Sequence, residues 1–139
     1  MNAMPADGAV PLARWWLPVF ALFTLHNLEE IVFDLPRWGR DHGFDIATTR
    51  LDQAGFAVLI TVLSAMLFAL AFILRCNDKL TRLYLAGFLA LMALNFVWHM
   101  AGSFVTGSVQ PGVMTAVPLL PACIWLAWKL VPGFRRVDG

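Results

Sequence analysis

Charge is scarce in this chain. Asp, Glu, Lys and Arg make up 14% of its 139 residues and hydrophobic side chains 60%, where soluble proteins carry about a quarter charged and about half apolar residues. Together with a mean hydropathy of +0.72, that balance makes lipid the expected solvent for much of the surface. The net charge of +1 leaves no basic excess for a phosphate backbone, so no nucleic-acid partner is expected. Cysteine is sparse too. Cys76 and Cys123 form no CxxC and no closely spaced framework, and both read as packing residues. Internal repeats and low-complexity tracts are absent.

What the chain does have is long apolar runs. A helix needs about 20 residues to cross a hydrocarbon core, and four segments approach that length: about 15–34, 54–74, 80–101 and 113–131. The first runs directly into His26-Asn27-Leu28-Glu29-Glu30 with no small-residue cleavage site after it, so it reads as a retained span and not a signal peptide. The expected fold is all-α: a polytopic membrane protein, residues 1–139 forming a single four-transmembrane-helix bundle. Residues 35–53 form the longest polar connection, with Thr49 and Asp52 suited to capping the second helix. The turn at 75–78 is short, which makes the second and third helices antiparallel neighbours, and Asp78 is a candidate N-cap. Residues 102–112 read as a Gly-containing loop ending at Pro111-Gly112.

Four spans put both termini and the 75–82 turn on one side. That side holds Arg14, Arg75, Lys79, Arg82, Lys129, Arg135 and Arg136, against Arg37, Arg40 and Arg50 on the other. The excess predicts a multi-pass cell-membrane protein with both termini cytoplasmic.

The first helix carries the chemistry. His26, Glu29 and Glu30 fall within about 100° of one another, and Asp34 extends the sector one turn on. Each ionised carboxylate at a helix centre costs about 2.5–3.5 kcal/mol, and the ten Leu, Ile, Phe and Val residues between Leu17 and Phe33 return about 3–6 kcal/mol. Insertion is therefore marginal unless that face finds a partner. The third helix offers one, because Asn95 and His99 lie one turn apart. Glu30 and Asn95 each lie about 22 Å along their helices, from Trp15 and Leu80 respectively, so the two polar faces can meet. Thr61, Ser64 and Thr115 are the polar groups of the other two helices, and they look weak.

His26-Asn27-Leu28-Glu29-Glu30 fits the HxxEE pattern, and the chain resembles the HXXEE-domain family of small integral membrane proteins over roughly residues 15–130. The resemblance implies a second characteristic histidine, matched by His99, and a YxPG motif. Val109-Gln110-Pro111-Gly112 matches that motif only in its Pro-Gly, with valine in the tyrosine position. It supplies site candidates and no reaction.

Three chemical readings compete with a structural one. In the first, His26, Glu29, Glu30 and His99 supply ligands for one divalent ion, zinc or iron. One of the adjacent carboxylates Glu29 and Glu30 then binds the ion while the other serves as general base. Asp34, Asn95, Pro111 and Gly112 would line the pocket, open toward the outer leaflet, and the substrate would be small or lipid-soluble. Bundle di-iron sites carry Glu-x-x-His on facing helices; a single reversed motif favours one ion. In the second reading, a carboxyl deprived of water stays neutral and pairs with His26 or His99 for metal-free isomerisation or cyclisation. The third is a proton- or cation-coupled carrier, for which four spans are few unless the chain oligomerises. The structural alternative is that these groups only join helices, yet interhelical polar contacts contribute about 0.6 kcal/mol on average, little against the cost of two carboxylates. His42 reads as a solvated loop residue and the tryptophans as interface anchors.

Overall fold

The computed structural model of the chain describes residues 16–134, with side-chain surroundings defined through Trp128. The described residues form five α-helices: α1 (Trp16–Val32), α2 (Leu35–Asp41), α3 (Gln53–Leu74), α4 (Asp78–Thr106) and α5 (Val113–Phe134), with a 3-10 turn at Ala47–Arg50. The chain is all-helical, as the apolar runs predict. Arg14, Arg135 and Arg136, which enter the charge count, lie outside the described residues, as does Trp15 at the expected start of the first span.

The helix ends follow local chemistry. Asp52 caps α3 by accepting from Gly55 N at 2.7 Å. At α4 the cap is Asn77, accepting from Leu80 N at 3.1 Å, so Asp78 is the first helical residue and not the cap. The α4 helix also runs five residues beyond the expected 101 and stops at Gly107, whose φ of 63° is the left-handed conformation glycine adopts without penalty. The expected loop is correspondingly shorter. α1 stops at Val32, and Asp34, at φ 49°, turns the chain and caps α2 by accepting from Arg37 N at 3.2 Å.

The stretch expected to be a polar loop is therefore folded. Thr49 is buried within it, donating to Phe44 O and Ile46 O instead of capping α3. Arg40 ties it together by donating to Thr49 O and Leu51 O at 2.7 and 2.8 Å. Trp38 Nε1 donates to Ser108 Oγ at 3.1 Å, and Phe44 meets Trp98 edge-on, so the segment packs over the end of α4 as a lid. His42 is exposed, stacked on Trp38.

The four long helices pack side by side in the spatial order α1, α5, α4, α3, with α3 closing against α1. α1 and α4 face each other diagonally, so their inward side chains meet along the axis. At the end remote from the lid those side chains are apolar: Trp16, Phe20 and Phe23 of α1, Leu85 and Phe88 of α4, Leu119 and Leu126 of α5. Phe88 lies between Phe20 and Phe23, with ring centroids 5.0 and 5.4 Å away.

α3 and α4 are long and apolar enough to cross a membrane; the apolar stretch of α5 is shorter. Only 6% of the apolar window of α3 is buried, which is opposite to a core helix of a water-soluble domain. Val58, Val62, Met66, Phe72 and Ile73 are each more than half exposed.

Candidate metal centre

One turn above the aromatic core, the axis becomes polar. His26, Glu30 and His99 meet there, with 1%, 6% and 0% of their surfaces exposed. Glu30 Oε1 stands 3.4 Å from His26 Nε2 and 3.0 Å from His99 Nε2. One ligand atom from each of the three lies within 4.8 Å of the others. The imidazoles are perpendicular, centroids 4.9 Å apart. The helical spacing i, i+4 delivers His26 and Glu30 from α1, and α4 brings His99 across the diagonal. His99 Nδ1 has no hydrogen-bond partner, and the contact of its Nε2 is the one to Glu30 Oε1. A buried ring nitrogen without a partner is rare in folded proteins.

The surrounding contacts set the state of His26. Thr115 Oγ1 donates to Glu29 Oε2 at 2.5 Å. Its single proton is thereby used, so at 3.1 Å from His26 Nδ1 the hydroxyl acts as acceptor. Hydrogen-bond complementarity therefore assigns the proton of His26 to Nδ1. Its Nε2 lone pair then accepts from Asn95 Nδ2 at 2.7 Å, with Glu30 Oε1 3.4 Å away. Holding the outer nitrogen so that the inner one can coordinate is how proteins orient metal-binding histidines.

Glu29 does not join the group, contrary to the sequence expectation. Its Oε1 accepts from Gly112 N and Met114 N at 3.0 and 3.1 Å, and its Oε2 from Thr115 N at 2.8 Å besides the Thr115 hydroxyl. Four donors and no acceptor converge on it, the demand that an ionised carboxylate meets. The free N–H groups at the start of α5 form an anion site, and α1 fills it with Glu29. With both oxygens committed, Glu29 holds α5 and, through Thr115, His26.

Of the expected pocket residues, Asn95 is in the site and Gly112 touches it. Pro111 is buried in the turn before α5. Asp34 is not brought in, since its carboxylate caps α2. Nor does the site open at the lid end: the triad is sealed. Sequence reasoning missed Thr115 as more than a weak polar group. It missed Asn27, which donates to Ser64 Oγ at 2.8 Å and joins α1 to α3. It also missed Gln110, 1% exposed with Oε1 unpartnered. Chain separations of 37 and 86–89 residues leave no local signal for the first two.

The group has the dimensions of an ion site. Zn–N and Zn–O bonds of about 2.0–2.2 Å in a tetrahedron put neighbouring ligand atoms about 3.3–3.6 Å apart; the contact of 3.4 Å lies in that range, that of 3.0 Å is shorter, and all three ligand atoms lie within 4.8 Å of one another. Two histidines and one carboxylate with a further position open is a donor set used by catalytic zinc and by non-haem iron.

Comparison with known proteins places the chain in a family. The model of the family described as "Protein of unknown function with HXXEE motif" matches residues 16–126, a span that takes in His26, Glu29, Glu30, His99 and Thr115. A Bacillus subtilis (strain 168) protein titled "Uncharacterized protein YrkK" is 28% identical over 97 residues, 69% of this chain and 61% of that protein, so the match covers about three fifths of the relative's length. No solved structure matches. With the family match running from the motif on α1 through the second histidine and well into α5, the chain belongs to the HXXEE family.

Proposed function

We propose that the chain is a metal-dependent membrane enzyme acting on a small or lipid-soluble substrate, with one divalent ion, zinc or iron, held by His26, Glu30 and His99. The observation that carries this reading is the sealed convergence of three ligand atoms on one point. Three such groups, two of them imidazole lone pairs beside a carboxylate, repel unless a cation or a proton lies among them. A divalent ion held by these three residues would supply Lewis acidity. Asn95, hydrogen-bonded to His26, stands beside the triad, and Glu29 and Thr115 are positioning residues that fix the tautomer of His26.

In this reading all four long helices span the membrane as a bundle, α1 and α5 included, with both termini and the 75–77 turn cytoplasmic and the lid on the outer side. The apolar exposure of α3 supports it. The basic residues of the turn support the orientation.

Elemental analysis of protein purified without chelators tests the metal. Wild type should carry about one zinc or iron per chain, and Glu30→Gln, which keeps shape and loses the charge, should carry far less. A metal-free wild type would favour the second reading, supported by Glu30 Oε1 lying within reach of both imidazoles: an acid–base enzyme that shares a proton among the same three residues.

A further inference from the structure

A cavity of about 150 Å³ lies between α4 and α5, on the flank of the metal group. Its walls include Ala93, Phe96, Leu120 and Ile124, and its lining holds no charged side chain. Asn95 supplies the one amide among the lining residues, and that amide is the one 2.7 Å from His26 Nε2. Ala116, next to Thr115, also lines it. The cavity is thus an apolar slot whose polar end is a single side chain away from the candidate ion. Its outer rim is apolar as well, since the lining residue Ile124 is 49% exposed.

We propose that this slot is the substrate port, and that the substrate is a neutral amphiphile entering sideways from the membrane, a hydrocarbon chain ending in an acceptor oxygen. The proposal rests on the metal-enzyme reading of the triad and adds the substrate class. Neutrality follows from the lining, because a charged head group would be buried there without a partner. Size follows from the volume, which equals about five times the ~30 Å³ that one water occupies and so admits a short hydrocarbon segment, not a whole phospholipid.

Recognition of the oxygen follows from Asn95. The Nε2 lone pair of His26 serves one partner at a time. An ion held by the triad would take it, and the Asn95 N–H, now 2.7 Å from His26 Nε2, would then be available to the slot. An ester, ketone or alcohol oxygen arriving along the hydrocarbon walls then finds a donor next to the ion. The sealed lid end and the apolar flank agree with this direction of entry, because water-borne substrates gain nothing from a route through lipid.

The test uses the full chain reconstituted in phosphatidylcholine vesicles. The probe is a methyl decanoate carrying a diazirine in its chain, and bound metal is measured on the same samples. Photolabelling should concentrate on slot residues such as Ala93 and Ile124. Unlabelled methyl decanoate should compete, whereas decane, which lacks the oxygen, should not. Ala93→Trp and, from the opposite wall, Ile124→Trp should each cut slot labelling about tenfold, the loss of roughly two buried methylene contacts, with metal content kept. Asn95→Leu should erase the preference for ester over alkane. Labelling spread equally over the α3 face at Val58 and Met66, or unchanged by both tryptophans, would show bulk-lipid contact alone and overturn the port. A wild type that labels in the slot but holds no metal would instead overturn the metal reading and leave the slot a binding site.

Discussion

A side chain at Gly112 would collide with His99: a Cβ built there lies 2.5 Å from His99 Cε1 and 2.9 Å from His99 Nε2. The same Cβ would stand 2.9 Å from His26 Cε1. The φ of Gly112 is 101°, and its N–H is one of the donors to Glu29. Three demands meet at one residue: a left-handed backbone, a free N–H and no side chain. Gly112→Ala should lower the stability by about 1–3 kcal/mol from backbone strain alone. Because the imidazoles must also move, bound metal should fall with the melting temperature. Thermal unfolding in detergent and elemental analysis read the two effects; an unchanged value of both would remove Gly112 from the site.

Thr115 separates positioning from ligation. Thr115→Val keeps the side-chain volume and the backbone donor to Glu29 but removes the hydroxyl that receives His26 Nδ1–H. Loss of such an outer partner lowers metal affinity about 10–100-fold at other sites, and a drop of that size is expected here. Thr115→Ser restores the hydroxyl and should recover most of the affinity. Competition with a metal-sensitive dye measures it. A valine variant that binds as tightly as wild type would show that the Glu29–Thr115–His26 chain does not set the tautomer.

The sequence exposed the buried polar residues of α1 and α4 because they repeat at helical spacing within segments that should otherwise be apolar. His26 and Glu30 are separated by four residues, as are Asn95 and His99, and the cost of ions in lipid marks them out. The role of Glu29 was not legible. Its proximity to Glu30 in the chain suggests a shared task, whereas the 100° between them sends Glu30 to the axis and Glu29 to the start of α5. Which carboxylate reaches the axis depends on which helix lies beside α1, and adjacency of α1 and α5 leaves no local trace. The short α2 was missed for a different reason. Leu35-Pro36-Arg37 reads as a break after Asp34, yet proline is well tolerated in a first helical turn.

Asp34 should behave as a cap and nothing more. Asp34→Ala removes the acceptor for Arg37 N and leaves a non-glycine residue at φ 49°, so it should cost about 0.5–2 kcal/mol as other lost caps do. Asparagine both caps and tolerates the left-handed region, and Asp34→Asn should be close to wild type. Metal content should be unchanged in each variant. A loss of metal in Asp34→Asn would return Asp34 to the site.

The proposed topology places exposed Cys76 in the cytoplasm and the lid outside. Cys76 and Cys123 are both free, the first exposed and the second buried in the core, so no bridge between them is expected by mass spectrometry. Their difference in exposure makes Cys76 a usable reporter. A membrane-impermeant maleimide should label it in inverted vesicles and spare it in intact cells. In a Cys76→Ser background, Asp45→Cys should show the reverse pattern, since Asp45 is exposed on the lid; the exposed Arg50 pair that the substitution removes contributes at most about 1 kcal/mol. A tag placed after Gly139 should share the side of Cys76 if four helices cross. Labelling of Cys76 and Asp45→Cys from one and the same side would mean that α3 does not cross. Both patterns inverted would keep the four spans and turn the lid toward the cytoplasm. If only the C-terminal tag changes sides relative to Cys76, then α5, the shorter apolar helix, is not a span, and the port between α4 and α5 would no longer face lipid along its length.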